Sequence, residues 1–284
     1  MLKRPRMRMH VKVRPLHFSL NRMIPNILTL LALCAGMTGI RLALVGKYEA
    51  AVTAIIVAGI LDGLDGRIAR LLKGTSSFGA QLDSLSDFVS FGVAPAVMLY
   101  IWTMDTLQSI GWAVVLIFAV CCGLRLARFN TQLGAELPPY AYNFFTGAPA
   151  PAGAGLVMIP MIASFEFGDT FFRSPWINAI VILAVAALMV SRVPTFAAKR
   201  FRVPMEWALP VLLGVGAFAA FLTTEPWATL LVVGGFYIAS IPLSIRSYQR
   251  LKHAAEEIRA AALRVAGEAG AAQQARSNDP LSSK

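Results

Sequence analysis

Four aspartates in one short stretch of the chain are the residues with the clearest chemical potential. Asp62, Asp65, Asp83 and Asp87 account for four of the 15 acidic residues in a sequence of 284. A carboxylate near a membrane interior costs several kcal/mol unless it is paired, bound to a metal or turned to a polar cavity. Solvation at a helix end or an ordinary ion pair would explain one such residue. It does not explain four at this spacing.

The spacing predicts a helical hairpin with an acidic face on each helix. At about 100° per residue, two of the acids in the first helix share an arc of roughly 100° with two small residues, the set being Asp62, Asp65, Gly66 and Ala69. The small side chains leave room for a bulky ligand beside the carboxylates. After a polar turn at residues 73–77, the second helix carries Gly79, Asp83 and Asp87 at intervals of four residues, so their side chains are neighbours.

Two divalent cations would neutralise the charge of four carboxylates. Ligands that are all oxygen favour hard ions such as Mg²⁺ or Mn²⁺ over zinc, and two such ions about 3.5–4 Å apart clamp a phosphoryl group during in-line displacement. We therefore predict a two-metal site for phosphoryl chemistry. A proton relay in an ion- or proton-coupled transporter is the rival use of acids in a membrane, and it would place them near the bilayer midplane.

The elements that must position these acids are membrane-spanning helices. Apolar residues make up 57% of the chain and charged residues 14%, against about 45–50% and about 25% in soluble domains. A bilayer core about 30 Å thick needs roughly 20 helical residues, and apolar windows of that length recur along the sequence. We predict an all-α polytopic membrane bundle of about eight transmembrane helices, near residues 25–45, 49–71, 80–101, 108–129, 148–166, 175–193, 205–223 and 226–245.

Basic residues orient this bundle. Of the 26 Lys and Arg residues, 23 fall at the two ends of the chain and in alternate connections. An even number of spans with both termini in the cytosol fits this distribution, and it places the acidic hairpin on the cytosolic side of the cell (inner) membrane. We predict a basic segment over 1–22, weakly amphipathic and compatible with the membrane surface, a transmembrane domain over 23–246, and a polar cytosolic tail over 247–284.

Composition and position exclude other functional classes. The three cysteines lie in apolar runs without pairing or metal-ligand spacing, which argues against a disulfide framework and a zinc module. The three histidines lie near the polar ends, which leaves none in the interior for a Ser/His/Asp triad. Because the net charge of +11 mostly follows the membrane topology, we predict no nucleic-acid partner.

The acidic stretch resembles a family signature. The pattern D-x-x-D-G-x-x-A-R-x8-G-x3-D-x3-D is typical of the CDP-alcohol phosphotransferases, which are integral membrane enzymes of phospholipid synthesis. All of its fixed positions and spacings are present here, as Asp62, Asp65, Gly66, Ala69, Arg70, Gly79, Asp83 and Asp87. The resemblance implies a site with two divalent cations, Mg²⁺ or Mn²⁺, that binds the diphosphate of CDP-diacylglycerol and releases CMP.

The same resemblance assigns roles by position. All four aspartates would be metal ligands, and Asp87 would also accept the proton of the attacking hydroxyl. Gly66, Arg70 and Ser76 would contact CDP-diacylglycerol. The other residues that we assign to this donor site are Asn26, Thr29, Asp62, Ala69 and Gly79.

Three further segments are similar to the phosphatidylserine synthase branch of this family. They lie at residues 25–29, 124–130 and 145–152, and the match extends to residues 190–194. Two positions depart from residues that are common in that branch, since Ala32 stands where Asn is frequent and Ala148 where Leu is frequent. Resemblance to this branch implies that L-serine is the acceptor alcohol.

An acceptor that carries a carboxylate needs a cationic partner, and the arginine fork offers bidentate geometry for it. The candidates lie toward the cytosolic ends of the predicted helices, and they are Arg125, Arg128, Asn130, Arg192 and Lys199. Glycerol 3-phosphate, an inositol derivative and choline stay open as alternative acceptors for the same chemistry. We also expect a homodimer, whose contact face no residue pattern marks.

Overall fold

The computed structural model of the chain describes residues 20–72, 76–132, 144–196 and 204–277. Helices dominate these residues. Their bounds are α1 Leu20–Leu44, α2 Tyr48–Leu71, α3 Ser77–Asp87, α4 Ala94–Trp102, α5 Gln108–Gln132, α6 Ala150–Val157, α7 Ile159–Phe167, α8 Asp169–Phe172, α9 Pro175–Val190, α10 Ala208–Thr224 and α11 Pro226–Ser277. Short 3₁₀ turns precede α5 and α10, at Met104–Leu107 and Met205–Trp207. The predicted basic segment lies outside the described residues as far as position 19.

Helices of this kind confirm a polytopic helical membrane protein. Six stretches of the described residues are long and apolar enough to cross a membrane, namely Met23–Leu44, Ser77–Trp102, Met104–Thr131, Ala150–Phe167, Met205–Thr224 and Pro226–Glu257. The other two predicted spans correspond to α2 and α9, and each falls short for its own reason. Helix α2 has the length but carries the charged residues of the acidic motif. Helix α9 is apolar, but its 16 residues span only about 24 Å.

Two of the predicted spans are interrupted α-helices. The span predicted over 80–101 consists of α3, a π-helical turn at Phe88–Val93, and α4. Pro95 lies just after this turn, in the first turn of α4, and it cannot donate a backbone hydrogen bond. The span predicted over 148–166 divides at Met158 into α6 and α7, and Pro160 lies in the first turn of α7.

Helix α1 is joined closely to the helix that carries the second pair of acids. Ser86 and Ser90 donate side-chain hydrogen bonds to the backbone carbonyls of Thr29 at 3.0 Å and Ala32 at 3.3 Å. Gly36 makes this approach possible, because a Cβ atom at that position would lie 2.5 Å from Ser90 Oγ. Small residues at such crossings are typical of helix packing in membranes. The contact aligns α1 beside the acidic segment of α3.

Two short strands depart from the all-α prediction. Strand β1, Phe144–Thr146, pairs antiparallel with β2, Pro194–Phe196, so that Phe145 lies opposite Thr195. The strands belong to the connections that follow α5 and α9. Pairing lets these two segments satisfy each other's backbone hydrogen-bonding groups. Gly147 follows β1 with a φ of 79°, and a Cβ atom there would lie 2.6 Å from the carbonyl oxygen of Met189. Glycine is therefore required at this turn.

Helix α11 runs without interruption from Pro226 to Ser277, so residue 246, the predicted end of the transmembrane domain, lies inside a continuous helix. The helix packs against β2 and α7, and an edge-to-face pair between Trp227 and Phe165 joins it to α7 with ring centroids 4.9 Å apart. Helix α10, by contrast, has no buried residue. Its apolar side chains suit a lipid environment.

Candidate active site

Three of the four aspartates meet at one place. Asp62 comes from α2, while Asp83 and Asp87 lie one turn apart on α3. Carboxylate oxygens of the three all lie within 4.8 Å of one another, and each side chain is half-buried. The ion pairs within the described residues are Arg173–Asp169 and Lys252–Glu256, so these carboxylates approach one another without a paired cation from the described residues. That arrangement is unfavourable for three ionised acids unless positive charge is added.

Asp65 lies outside that close group but within electrostatic range of Asp62 and Asp83. It is only 4% exposed, and its Oδ2 accepts a hydrogen bond of 2.5 Å from the Thr29 hydroxyl on α1. The two residues are far apart in the sequence, and the bond links α2 to the helix beside it. The structure thus brings together three of the predicted metal ligands and ties the fourth to α1.

The predicted donor residues near the start of α3 converge on Asn26. A Cβ atom on Gly79 would lie 2.9 Å from Asn26 Oδ1 and 3.1 Å from Ser76 Oγ. Ser76 caps α3 by accepting a hydrogen bond of 3.0 Å from the N–H of Gly79, a common role for serine at a helix start. Gly79 is therefore the residue that lets the amide of Asn26 lie against the backbone of the acidic helix.

The other donor candidates line the last turns of α2. Gly66 and Ala69 are half-buried and Arg70 is exposed. A Cβ atom on Gly66 would have Arg70 Nη1 as its neighbour at 3.8 Å, so the guanidinium lies over the glycine. This places a cation and a bare stretch of backbone next to the acidic face.

Among the acceptor candidates, Arg125 has the burial and the uncommitted hydrogen-bond donors expected of a ligand-binding residue. Its side chain is only 9% exposed, and its guanidinium carbon lies 5.4 Å from the centroid of the Phe129 ring. It interacts electrostatically with Asp87. Within the described residues, Arg125 forms no hydrogen bond and no ion pair, so the donors of its fork are uncommitted.

Arg128 and Asn130 have structural partners. The guanidinium of Arg128 donates to three backbone carbonyls, those of Val190 at 3.0 Å, Ser191 at 3.0 Å and Thr146 at 3.2 Å. Cations that satisfy the last carbonyls of a helix stabilise its end. Asn130 donates to the hydroxyl of Ser84 on α3 at 2.9 Å. The two side chains thereby connect α5 to α9 and α3.

The remaining acceptor candidates lie farther along the chain. Arg192 lies two residues beyond the end of α9 and is exposed. Lys199 lies outside the described residues.

A match to known proteins follows from the same residues. The model of the CDP-alcohol phosphatidyltransferase family matches residues 22–193, which include α1 to α9 and every aspartate of the site. The chain belongs to the CDP-alcohol phosphatidyltransferase family. A second model, described as CDP-alcohol phosphatidyltransferase 2, matches residues 206–242, which cover α10 and the first part of α11.

Similar members of the family carry one recurrent name. The CDP-diacylglycerol--serine O-phosphatidyltransferase of Mycobacterium leprae is 39% identical over 252 residues, which are 88% of this chain and 81% of that protein. The protein of the same name from Helicobacter pylori strain 26695 is 33% identical over 76% of this chain and 88% of its own length. The archaetidylserine synthase of Methanothermobacter thermautotrophicus is 35% identical over 60% of this chain and 68% of its own length.

The acidic group of this family member fits divalent cations. Its donors are all carboxylate oxygens, the ligand type that Mg²⁺ and Mn²⁺ prefer. Three such groups that converge without a paired cation leave a negative charge that bound metal would offset. Asp62, Asp83 and Asp87 are thus the residues that could hold metal, whereas Asp65 as a ligand stays a prediction.

Some residues of this site could not be found from the motif. Ser84 bonds to Asn130, and Ser86 bonds to the backbone of α1. Both lie between the motif's aspartates, but hydroxyls on a helix are too common to be singled out without knowledge of their neighbours. Tyr237 on α11 is a third such residue, since Thr195 and Arg125, the groups that interact with its hydroxyl, come from other parts of the chain.

Proposed function

We propose that this chain transfers a phosphatidyl group from CDP-diacylglycerol to the hydroxyl of L-serine and releases CMP. The observation that carries the proposal is the meeting of three carboxylates from α2 and α3 within electrostatic range of the buried, unpaired guanidinium of Arg125. The acids would bind the diphosphate of the donor through divalent cations. The guanidinium of Arg125 would bind a carboxylate on the acceptor. The names of the similar family members support serine as that acceptor.

The chain's own residues have distinct parts in this reaction. Asp62 and Asp83 would hold divalent cations together with Asp87 and, by the motif, Asp65. When bound, two such ions supply positive charge that offsets the charge of the diphosphate and of the departing CMP. Asp87 accepts the proton of the serine hydroxyl as the oxygen bonds to the phosphorus that carries the diacylglycerol, and the bond from that phosphorus to CMP breaks.

The donor lies along the acidic face of α2 and the start of α3. Gly66 and Gly79 leave the backbone accessible, and Asn26, Thr29, Ala69 and Ser76 surround the same space by the assignment from the motif. Arg70 is exposed beside Gly66 and offers a cation to a phosphate. The acyl chains of the donor stay in the leaflet while its nucleotide reaches the site.

The membrane arrangement is part of the proposal. We infer eight spans, with α2 and α9 added to the six apolar stretches, and both termini in the cytosol. The acidic site then faces the cytosol at the inner membrane. The nucleotide headgroup of the donor and serine are both water-soluble, so they can reach the site from that side. We also infer a homodimer, which light scattering of the purified protein would test.

An assay with a panel of alcohols tests the function. Purified protein is incubated with CDP-diacylglycerol, with Mg²⁺ or Mn²⁺, and with labelled L-serine, glycerol 3-phosphate, inositol or choline. We expect CMP release and lipid labelling with serine well above the other alcohols. Turnover of another alcohol without turnover of serine would refute the acceptor assignment. Absence of CMP release with every alcohol would refute the transfer chemistry.

A further inference from the structure

Arg125 is a buried cation whose hydrogen-bonding capacity is unused by the described residues. It is 9% exposed and has the Phe129 ring on one face. A buried charge is stable only with partners, and its neighbour Arg128 shows what a structural arginine does here, since that guanidinium binds three backbone carbonyls. The open fork of Arg125 therefore indicates a position for an anion that enters with substrate.

A second donor without a well-formed hydrogen bond lies within electrostatic range of Arg125. The Oη atom of Tyr237, on α11, is buried and makes no well-aligned hydrogen bond with any described residue, although the Thr195 hydroxyl lies close by. That hydroxyl donates its own hydrogen to the carbonyl of Gly147 at 2.9 Å. Buried hydroxyls are normally satisfied, and Tyr237 and Arg125 interact electrostatically.

The charge of the two groups selects among possible anions. One guanidinium and one neutral phenol match a carboxylate, which carries a single negative charge and can accept hydrogen bonds on both oxygens. A phosphate monoester would require further cations, and within the described residues Arg128 is already engaged with the backbone. A quaternary ammonium would be repelled by Arg125.

We propose that Tyr237 donates its hydroxyl hydrogen to the carboxylate of the acceptor and, with Arg125, selects an amino acid over uncharged alcohols. This inference rests on the proposed function. It assigns a substrate-binding role to Tyr237 on α11. That residue lies in the segment matched by the second family model at residues 206–242 and outside the main match at 22–193. The added helices would then contribute acceptor specificity, while α2 and α3 contribute the transfer chemistry.

The test compares two acceptors in the Tyr237→Phe variant of the full-length chain. L-serine and L-serinamide share the hydroxyl and the amine, but serinamide has no carboxylate. We expect the KM for serine to rise about tenfold or more, as for loss of a hydrogen bond to a charged group. The KM for CDP-diacylglycerol should stay unchanged. The ratio of kcat/KM for serine to kcat/KM for serinamide should fall by the same factor by which the KM for serine rises.

Tyr100→Phe is the matched control, because Tyr100 lies on α4 in an edge-to-face pair with Trp112 and outside the site. It should leave the preference unchanged. A purely structural role for Tyr237 would lower turnover of both acceptors equally, and an unchanged preference in Tyr237→Phe would overturn the inference alone. Failure of the parent protein to use serine would overturn the proposed function and this inference with it.

A second measurement tests the same contact if the Tyr237→Phe variant does not fold. 3-Fluorotyrosine placed at position 237 reports on its own hydroxyl by fluorine NMR in the folded protein. We expect its resonance to shift on addition of serine and not on addition of serinamide. If the resonance shifts with neither acceptor, in protein that turns over serine, the contact between the Tyr237 hydroxyl and the acceptor carboxylate is contradicted.

Discussion

At the scale of single residues, the site consists of three carboxylates that converge and a fourth, that of Asp65, which accepts a hydrogen bond from Thr29 on α1. Helical spacing predicts that Asp62 shares a face with small residues and that Asp83 and Asp87 lie one turn apart, and these three meet. The same spacing treats Asp65 as equivalent to Asp62. Its bond to Thr29 depends on how α1 packs, which residue spacing within α2 cannot specify.

Loss of one cluster carboxylate should abolish activity without unfolding the protein. In Asp62→Asn and Asp83→Asn the remaining acids hold cations far more weakly, so we expect turnover to fall at least about a hundredfold, and a chelator should do the same to the parent. Phospholipid synthesis and thermal unfolding in detergent are measured side by side. Asp105→Asn, at an exposed position in a 3₁₀ turn, is the control. Full turnover of the parent in excess chelator would rule out a metal site.

Asp87 should separate binding from catalysis. If it is the proton acceptor, Asp87→Asn lowers kcat by about a hundredfold or more, and this loss exceeds any loss of CDP-diacylglycerol affinity that comes from its part in holding the cations. Single-turnover kinetics and equilibrium binding of the donor distinguish the two effects. Equal losses in both would make Asp87 a metal ligand only.

The two arginines of α5 should respond differently to the same substitution. Arg125→Lys keeps the charge and loses the fork, so the KM for serine should rise roughly ten- to two-hundredfold. Arg128→Lys removes hydrogen bonds to the backbone of α9 and β1, and we expect it to lower the free energy of unfolding by about 1–3 kcal/mol. Serine titrations at saturating donor and thermal unfolding of both variants test this. The reverse pattern would place Arg128 in the acceptor site.

At the scale of elements, apolar windows predict where the helices are and miss how they are interrupted. The window over residues 80–101 contains a π-helical turn directly after Asp87, and the window over 148–166 breaks at Met158. Hydropathy responds to composition, whereas these breaks arise from proline positions and from neighbouring helices. The strands β1 and β2 were missed for a similar reason, because their pairing joins segments that are far apart in the chain.

The contact between α1 and the acidic helix gives a prediction of its own. Gly36→Ala would place a Cβ atom 2.8 Å from the Cα of Ser90, where backbone must shift, and overpacking of this kind costs about 1–3 kcal/mol. We expect a lower unfolding temperature even though alanine is the better helix former by about 1 kcal/mol. Gly155→Ala, in α6 with nothing within 4 Å of its Cβ position, is the matched control and should be neutral or stabilising. Equal stability of the two variants would argue against tight packing at Gly36.

At the scale of the whole molecule, hydrogen bonds between residues of different elements define two ends of the bundle. At one end, Thr103 donates to the carbonyl of Arg173 at 2.7 Å, which joins the connection after α4 to the one before α9. At the other end, Arg128 binds the carbonyl of Ser191 and Asn130 binds Ser84. The acidic group on α2 and α3 therefore lies at the end where α5 and α9 finish, and the distribution of basic residues predicts that this end faces the cytosol.

This division predicts which side of the membrane each position faces. In a variant whose cysteines at 34, 121 and 122 are replaced, a single new cysteine is introduced by Asp105→Cys or by Arg250→Cys, both at exposed positions. The 3₁₀ turn that holds residue 105 lies at the Thr103 end, and residue 250 lies on α11 beyond its apolar stretch, at the end of the acidic site if eight spans alternate. An impermeant maleimide should label position 105 in intact cells, because Lys and Arg are retained on the cytosolic side. It should label position 250 only after permeabilisation. Labelling of both positions from the same side would require an even number of spans between them. It would contradict the eight-span bundle, which puts five spans between these positions and both termini in the cytosol.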